Sequence, residues 1–203
     1  MLIIITYTKN CKRLSLGIYC SIILRLILSL YISINGKTAM KILNASEPEF
    51  GGPMTEDEAR NFLVNSKKNV HISTLDEKGE PNIHPTWYYF DNNNDKIYIE
   101  SGKASRKTQN LRRNNIIYYC IDDDNIPYKG VRGKGSVRIS EDVNYNLPII
   151  EKILAKYLGS IGHPMSQTII SSIRKGDAII LEIIPKFYAT WDHGKVKKHN
   201  EIL

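Results

Sequence analysis

Chemistry first suggests itself in the run Glu100-Ser101-Gly102-Lys103-Ala104-Ser105-Arg106-Lys107, where an apolar, strand-like segment gives way to a helix-like one. A helix start offers free backbone N–H groups and the positive end of the helix dipole, so it attracts anions. Arg106 and Lys107 fall in the first helical turn, where a cation alone costs about 0.3–1 kcal/mol. A phosphate bound at the same point removes that penalty. Ser101 and Ser105 add hydroxyls, and an Arg side chain can grip two phosphate oxygens at once. On spacing alone a solvated basic helix stays open as the alternative, since Arg112 and Arg113 follow. His84 offers a hydrogen bond or a proton, or is simply a strand-end residue before Pro85. Trp191-Asp192-His193-Gly194 reads either as a cap over a bound ring or as core. Asp122-Asp123-Asp124 lacks further ligand spacing and reads as a solvated loop. Cys120 has no partner base and reads as a buried strand residue.

The elements that must position these groups follow from periodicity and punctuation. Residues 40–54 form an irregular lead-in containing Pro48, Gly51, Gly52 and Pro53. Thr55-Glu56-Asp57-Glu58 is a capping box that opens a helix with Phe62 and Leu63 on its apolar face. Strands are expected over 70–75, 82–90 and 96–101, joined by the turns DEKGEP and DNNND, which makes an antiparallel meander. A helix over 105–113 has Ser105 as its N-cap. Strands over 116–122 and 129–140 come next, the second interrupted by Gly130, Gly133 and Gly135. A helix over 141–158 contains Pro148, expected to end or kink it. A short helix over 167–173 and closing strands over 177–184 and 187–191 complete the pattern. The fold class is α+β, a six-stranded antiparallel split β-barrel with flanking helices.

The run STLDEKGEPNIHPTWYYFDNNNDKIYIESGKASRKTQNLRRN, with YCIDDD and YKGVRGKGSVRI after it, resembles the pyridoxamine 5'-phosphate oxidase-like family of FMN-binding split barrels. The resemblance spans roughly residues 55–192 and looks closest to the branch divided between FMN and deazaflavin users. It implies a flavin-binding oxidoreductase that transfers hydride with a small-molecule substrate, working as a homodimer with its cofactors in grooves between subunits. It places the phosphate-holding pair on Arg106 and Lys107 and the family's hydroxyl residue on Ser101, with Ser105 of the corner beside them. The flavin-flanking strand falls on His84, Pro85, Thr86, Trp87, Tyr88 and Tyr89, and Trp191 is a candidate cap from the second subunit. FMN is the expected cofactor. The alternatives are an 8-hydroxy-5-deazaflavin coenzyme, or a non-enzymatic flavin or haem binder, with haem disfavoured. No side chain is assigned a catalytic role and no metal is expected. Two departures argue against vitamin B6 phosphate as the substrate. His84 and Tyr89 stand where pyridoxamine-phosphate oxidases carry basic residues at the strand ends, and Gly130 replaces a flavin-contacting Gln. Their C-terminal Arg-x-His is also not recognisable.

The net charge of +7 misleads if taken for the whole chain. Five of the 28 bases lie within residues 1–39, which contain no acid, leaving 23 bases against 21 acids elsewhere. No nucleic-acid partner is therefore expected for the body of the protein. Three cysteines without metal-ligand spacing imply neither a zinc site nor a disulfide framework, and a reducing compartment fits. Residues 14–34, about 21 in number, are long enough for a membrane span. Arg25 near their middle costs about 2.5–3.5 kcal/mol there. Two readings stand. Residues 1–39 are an artefact or tail, with translation starting at Met40 and a cytoplasmic protein, or they are an N-terminal signal anchor. A polar C-terminal tail is expected over 193–203.

Overall fold

The structure, a computed structural model, describes residues 40–47 and 49–196. The N-terminal extension, and the C-terminal tail beyond residue 196, lie outside the described residues. In chain order the elements are β1 (Ile42–Asn44), α1 (Glu56–Asn65), β2 (Val70–Leu75), β3 (Pro81–Thr86), β4 (Tyr89–Asp91) and β5 (Lys96–Gly102). Then come α2 (Arg106–Arg113), β6 (Ile116–Asp123), β7 (Lys129–Ser140), α3 (Val143–Leu158), α4 (Pro164–Lys175), β8 (Ala178–Asp192) and a 3-10 turn, His193–Lys195.

The strands join in the order β3-β2-β6-β7-β8-β5-β4, with β1 pairing parallel to β8. β3 and β4 thus lie at opposite edges of the sheet, yet only Trp87 and Tyr88 separate them in sequence. So short a link spans at most roughly 11 Å. The sheet must therefore curl until its edges meet, which makes a barrel. Alternation then sends one set of side chains inward. Val70, Ile72, Ile97, Ile99, Ile117 and Ile121 are all fully buried there. α3 and α4 cover the outer face of β5 and β8 through Ile150, Ile153, Leu154 and Ile173, packed on Tyr98 and Ile180.

Local signals hold where short-range chemistry decides. The Thr55 hydroxyl accepts from the Glu58 N–H at 3.3 Å, and the Thr55 N–H donates to Glu58 Oε2 at 2.7 Å. Phe62 and Leu63 are buried on α1, as expected. Ser105 caps α2. Asp95, at the end of the DNNND turn, has φ 55°, a conformation Asp tolerates better than most residues.

Among the described residues, longer-range packing corrects the six-strand expectation to eight strands in one sheet. The strand expected over 82–90 breaks at Trp87–Tyr88, because the chain must cross there from one sheet edge to the other. The two closing strands are one, β8, which continues through Pro185 and takes up the irregularity as a register shift opposite Lys134/Gly135. The lead-in contains β1, held by Tyr188 N–H donating to the Lys41 carbonyl at 2.9 Å. Pro148 does not end α3. The helix begins at an Asp142 cap and carries the proline in its interior, held by the apolar side chains that follow it. The short helix read over 167–173 begins earlier, at Pro164 behind a His163 cap. Cys120 is half-buried on the outward side of β6, and burial pushes its thiol up to about 11. Among the described residues no helix is long and apolar enough to cross a membrane, and the stretch 14–34 lies outside them.

Candidate functional site

The corner between β5 and α2 is fastened by hydroxyls. Ser101 Oγ lies 2.9 Å from Ser105 Oγ and 2.8 Å from Thr108 Oγ1. Thr108 Oγ1 donates to the Gly102 carbonyl at 3.0 Å, and the Thr108 N–H donates to Ser105 Oγ at 3.4 Å. Ser101 and Thr108 are fully buried. The two serines read as ligand donors are thus engaged with the protein, and they set the direction in which α2 leaves the strand. Backbone N–H groups of Arg106 and Lys107, at the first helical positions, have no intrahelical acceptor.

The Arg106 side chain is exposed and that of Lys107 half-buried. Among the described residues neither forms a salt bridge or hydrogen bond, whereas Lys103 and Arg112 nearby both pair with Glu141. α2 is fixed to the β2–β3 hairpin by Asn110 Nδ2, which donates to Thr74 Oγ1 at 3.0 Å. On β3, Asn82, His84 and Thr86 share the half-buried face, while Ile83 and Pro85 point outward. His84 therefore comes close enough to the α2 cations to feel both. Burial first, then the charges of Lys107 and Arg106, hold its imidazole below the ordinary value. His84 Nε2 is buried with no hydrogen-bond partner. An orphaned buried nitrogen beside two cations without a salt bridge and two free N–H groups forms a donor set that fits a phosphate.

Next to this corner lies a cavity of ≈ 260 Å³. Its walls are Pro85, Thr86 and Trp87 from the β3–β4 passage, Glu100 from β5, Asn69, and Ile150, Ile153, Leu154 and Ile169 from α3 and α4. A cavity of about 150 Å³ holds benzene, so this one has room for a small ring system. The Trp87 indole is itself stacked on Tyr157 of α3, with centroids 5.1 Å apart and planes 9° from parallel. It supplies a fixed wall rather than a free ring.

Trp191 stands at the opposite end of the 15-residue β8 from the corner, since Gly102 pairs with Ala178 at the strand's start. It is 8% exposed and packs on Tyr128 at 5.7 Å, with Tyr128 in turn 5.3 Å from His193. Gly130 makes room for it: a Cβ there would lie 2.3 Å from the indole Cζ2. Within one chain the structure therefore joins His84, Pro85, Thr86, Trp87, Arg106 and Lys107 in one region and keeps Trp191 apart from it. Sequence reasoning passed over Glu100, Thr108 and the α3–α4 wall. The alternation of KIYIES put Tyr98 and Glu100 on one face, and a carboxyl one residue before an anion corner was a readable signal. The helical wall had none, because it is assembled from residues about fifty positions further along.

Among the described residues no three His, Cys, Asp or Glu side chains gather in a way that could hold a metal. A family model described as pyridoxamine 5'-phosphate oxidase matches residues 55–191. No curated protein matches the sequence. Solved structures do share the fold. A conserved hypothetical protein from Mycobacterium tuberculosis superposes with a TM-score of 0.61 at 24% identity, over 70% of this chain and 87% of that one. An F420 reductase gives a TM-score of 0.51 at 20% identity, over 63% and 93% of the two chains. The haem storage protein HutZ from Vibrio cholerae gives 0.51 at 15% identity, over 64% and 89%.

Proposed function

Since the chain belongs to the pyridoxamine 5'-phosphate oxidase family, we propose that it binds FMN and works as a flavin-dependent oxidoreductase on a small molecule. The observation that carries this reading is the pairing of His84 Nε2, buried and without a partner, with two cations that form no salt bridge among the described residues. Arg106, Lys107 and the first N–H groups of α2 hold the phosphate, and His84 offers it a further donor. The cavity at Pro85–Trp87 takes the ring system, with β3 backbone groups at its polar edge. Bound flavin supplies hydride transfer, while the protein orients it, excludes water and places charge. An 8-hydroxy-5-deazaflavin coenzyme that carries a phosphate would use the same phosphate and ring positions and is the alternative ligand.

A homodimer completes the site in this reading. The outward side of the sheet carries a groove of ≈ 420 Å³ lined by Ile83, Tyr118, Phe187 and Ala189, among others. Ile83 is 67% exposed and Tyr118 53%. A second copy covering this face would remove that apolar surface from water. Trp191, on the same side of β8 as Phe187 and Ala189, would then be available to the partner's flavin.

The absorbance spectrum of protein purified from its own host separates flavin, deazaflavin and haem, and an artificial electron acceptor tests turnover. The decisive experiment is titration of FMN into the apo-protein, followed by quenching of flavin fluorescence. Each charge-assisted hydrogen bond is worth about 1.5–3 kcal/mol, roughly ten- to a hundredfold in affinity. The double variant Arg106→Ala, Lys107→Ala is expected to lose at least that much. Affinities equal to wild type for both flavins would overturn the assignment of the phosphate site.

A further inference from the structure

Among the described residues, Glu100 is the one acidic side chain in the wall of the ring cavity. It projects from β5 on the side away from the barrel interior, between the buried Ile99 and Ser101. Among the described residues its carboxyl forms no hydrogen bond and no ion pair. The surrounding groups are few. Pro85, Thr86 and Trp87 face it from the β3–β4 passage, Asn69 from the segment before β2, and four aliphatic side chains from α3 and α4. Lys107 is the charge that acts on it, and His84 and Arg106 share the Lys107 corner.

This placement is at odds with a permanently ionised carboxylate. The same corner is built to receive a phosphate, and a second negative charge against that phosphate in a partly dry cavity is repulsive. Burial acts in the same direction and holds the carboxyl above its ordinary value, with Lys107 opposing. A phosphate settling on Lys107 removes that opposition. In its neutral form a carboxyl carries one O–H donor and keeps acceptor capacity, which suits a ligand hydroxyl or phosphate oxygen.

We propose that Glu100 gates ligand binding at the flavin site through its protonation state. As a neutral carboxyl it hydrogen-bonds the ligand beside the phosphate, and as a carboxylate it expels it. This rests on the flavin reading above. It makes ligand affinity fall as pH rises: a site that binds its ligand with a proton on Glu100 loses affinity wherever the free protein has lost that proton.

The test uses the full-length protein and FMN itself. Dissociation constants are measured by flavin fluorescence from about pH 5.5 to about pH 8.5 for wild type, Glu100→Gln and Glu100→Ala. Titration of His84 and of the FMN phosphate is common to all three and cancels in the comparison. Wild-type affinity is expected to fall by about tenfold or more relative to Glu100→Gln across the range, since linkage allows up to tenfold per pH unit. Glu100→Ala, which cannot ionise either, is expected to follow the Gln profile. If the wild-type and Gln profiles keep a constant ratio at every pH, Glu100 does not gate the site and the proposal falls, with the flavin assignment intact. If neither FMN nor the deazaflavin binds wild type at any pH, the flavin reading falls and takes this inference with it.

Discussion

Lys156 shows how a single side chain can carry a cost and a function together. α1 has no basic residue in its last turn, and its Leu63 carbonyl accepts instead from Lys156 Nζ of α3 at 3.2 Å and from the Tyr88 hydroxyl at 2.8 Å. The ammonium also sits 3.6 Å from the centre of the Tyr88 ring. Burial nevertheless pushes Lys156 down to about 7. A lysine whose pKa falls on folding binds more protons in the unfolded chain, between about pH 7 and its ordinary 10.5. Stability therefore rises with pH through that window, by at most about 1.4 kcal/mol per unit. Lys156→Met is expected to flatten this slope, checked by urea unfolding at a series of alkaline pH values.

At the scale of elements, β8 organises the molecule. It pairs with β7, β5 and β1, and its two ends hold the two aromatic regions apart. Its Glu182, with a side chain only 1% exposed, accepts from Lys96 at 2.8 Å and from the Tyr145 hydroxyl at 2.6 Å, and Arg138 completes the group. Burial opposes ionisation there, but those donors outweigh it and bring the carboxyl down to about 2. The network ties α3 to the sheet and so holds the helical wall of the ring cavity in place. β7 meets β8 closely at Gly130, where a side chain would collide with the Trp191 ring and come within 2.8 Å of the Ile121 carbonyl. Gly130→Val is expected to destabilise by about 1–3 kcal/mol or more, and to shift the tryptophan emission as Trp191 is displaced. Thermal melting and fluorescence check both.

For the whole molecule, the consequence of the curled sheet is that its inside is filled and its outside is only partly covered. α3 and α4 shield the β5–β8 side, while Ile83 and Tyr118 remain exposed on the other. If a second copy covers that face, Ile83→Glu will leave the fold intact, because the side chain already points to solvent. It is expected to convert the dimer to a monomer by light scattering and to weaken FMN binding at the same time. A variant that stays dimeric would show that this face is not the interface, and a monomer that binds FMN with unchanged affinity would place the site within one chain.

The amino-acid sequence by itself determined what short-range chemistry controls. It specified the capping box at Thr55, the alternation that buries Ile97 and Ile99, the Ser105 cap, and the cations at the start of α2. Each depends on residues within a turn or two of one another, so the pattern is legible without the fold. Tertiary structure alone decided that β3 and β4 part to opposite sheet edges, that β8 runs unbroken through Pro185, and that Pro148 stays inside a helix. It alone brought His84, Lys107 and Glu100 together and turned Ser101 and Ser105 inward as fasteners. Those outcomes depend on pairings between distant segments, where the burial of apolar surface outweighs local preference, and no window of the sequence contains both partners.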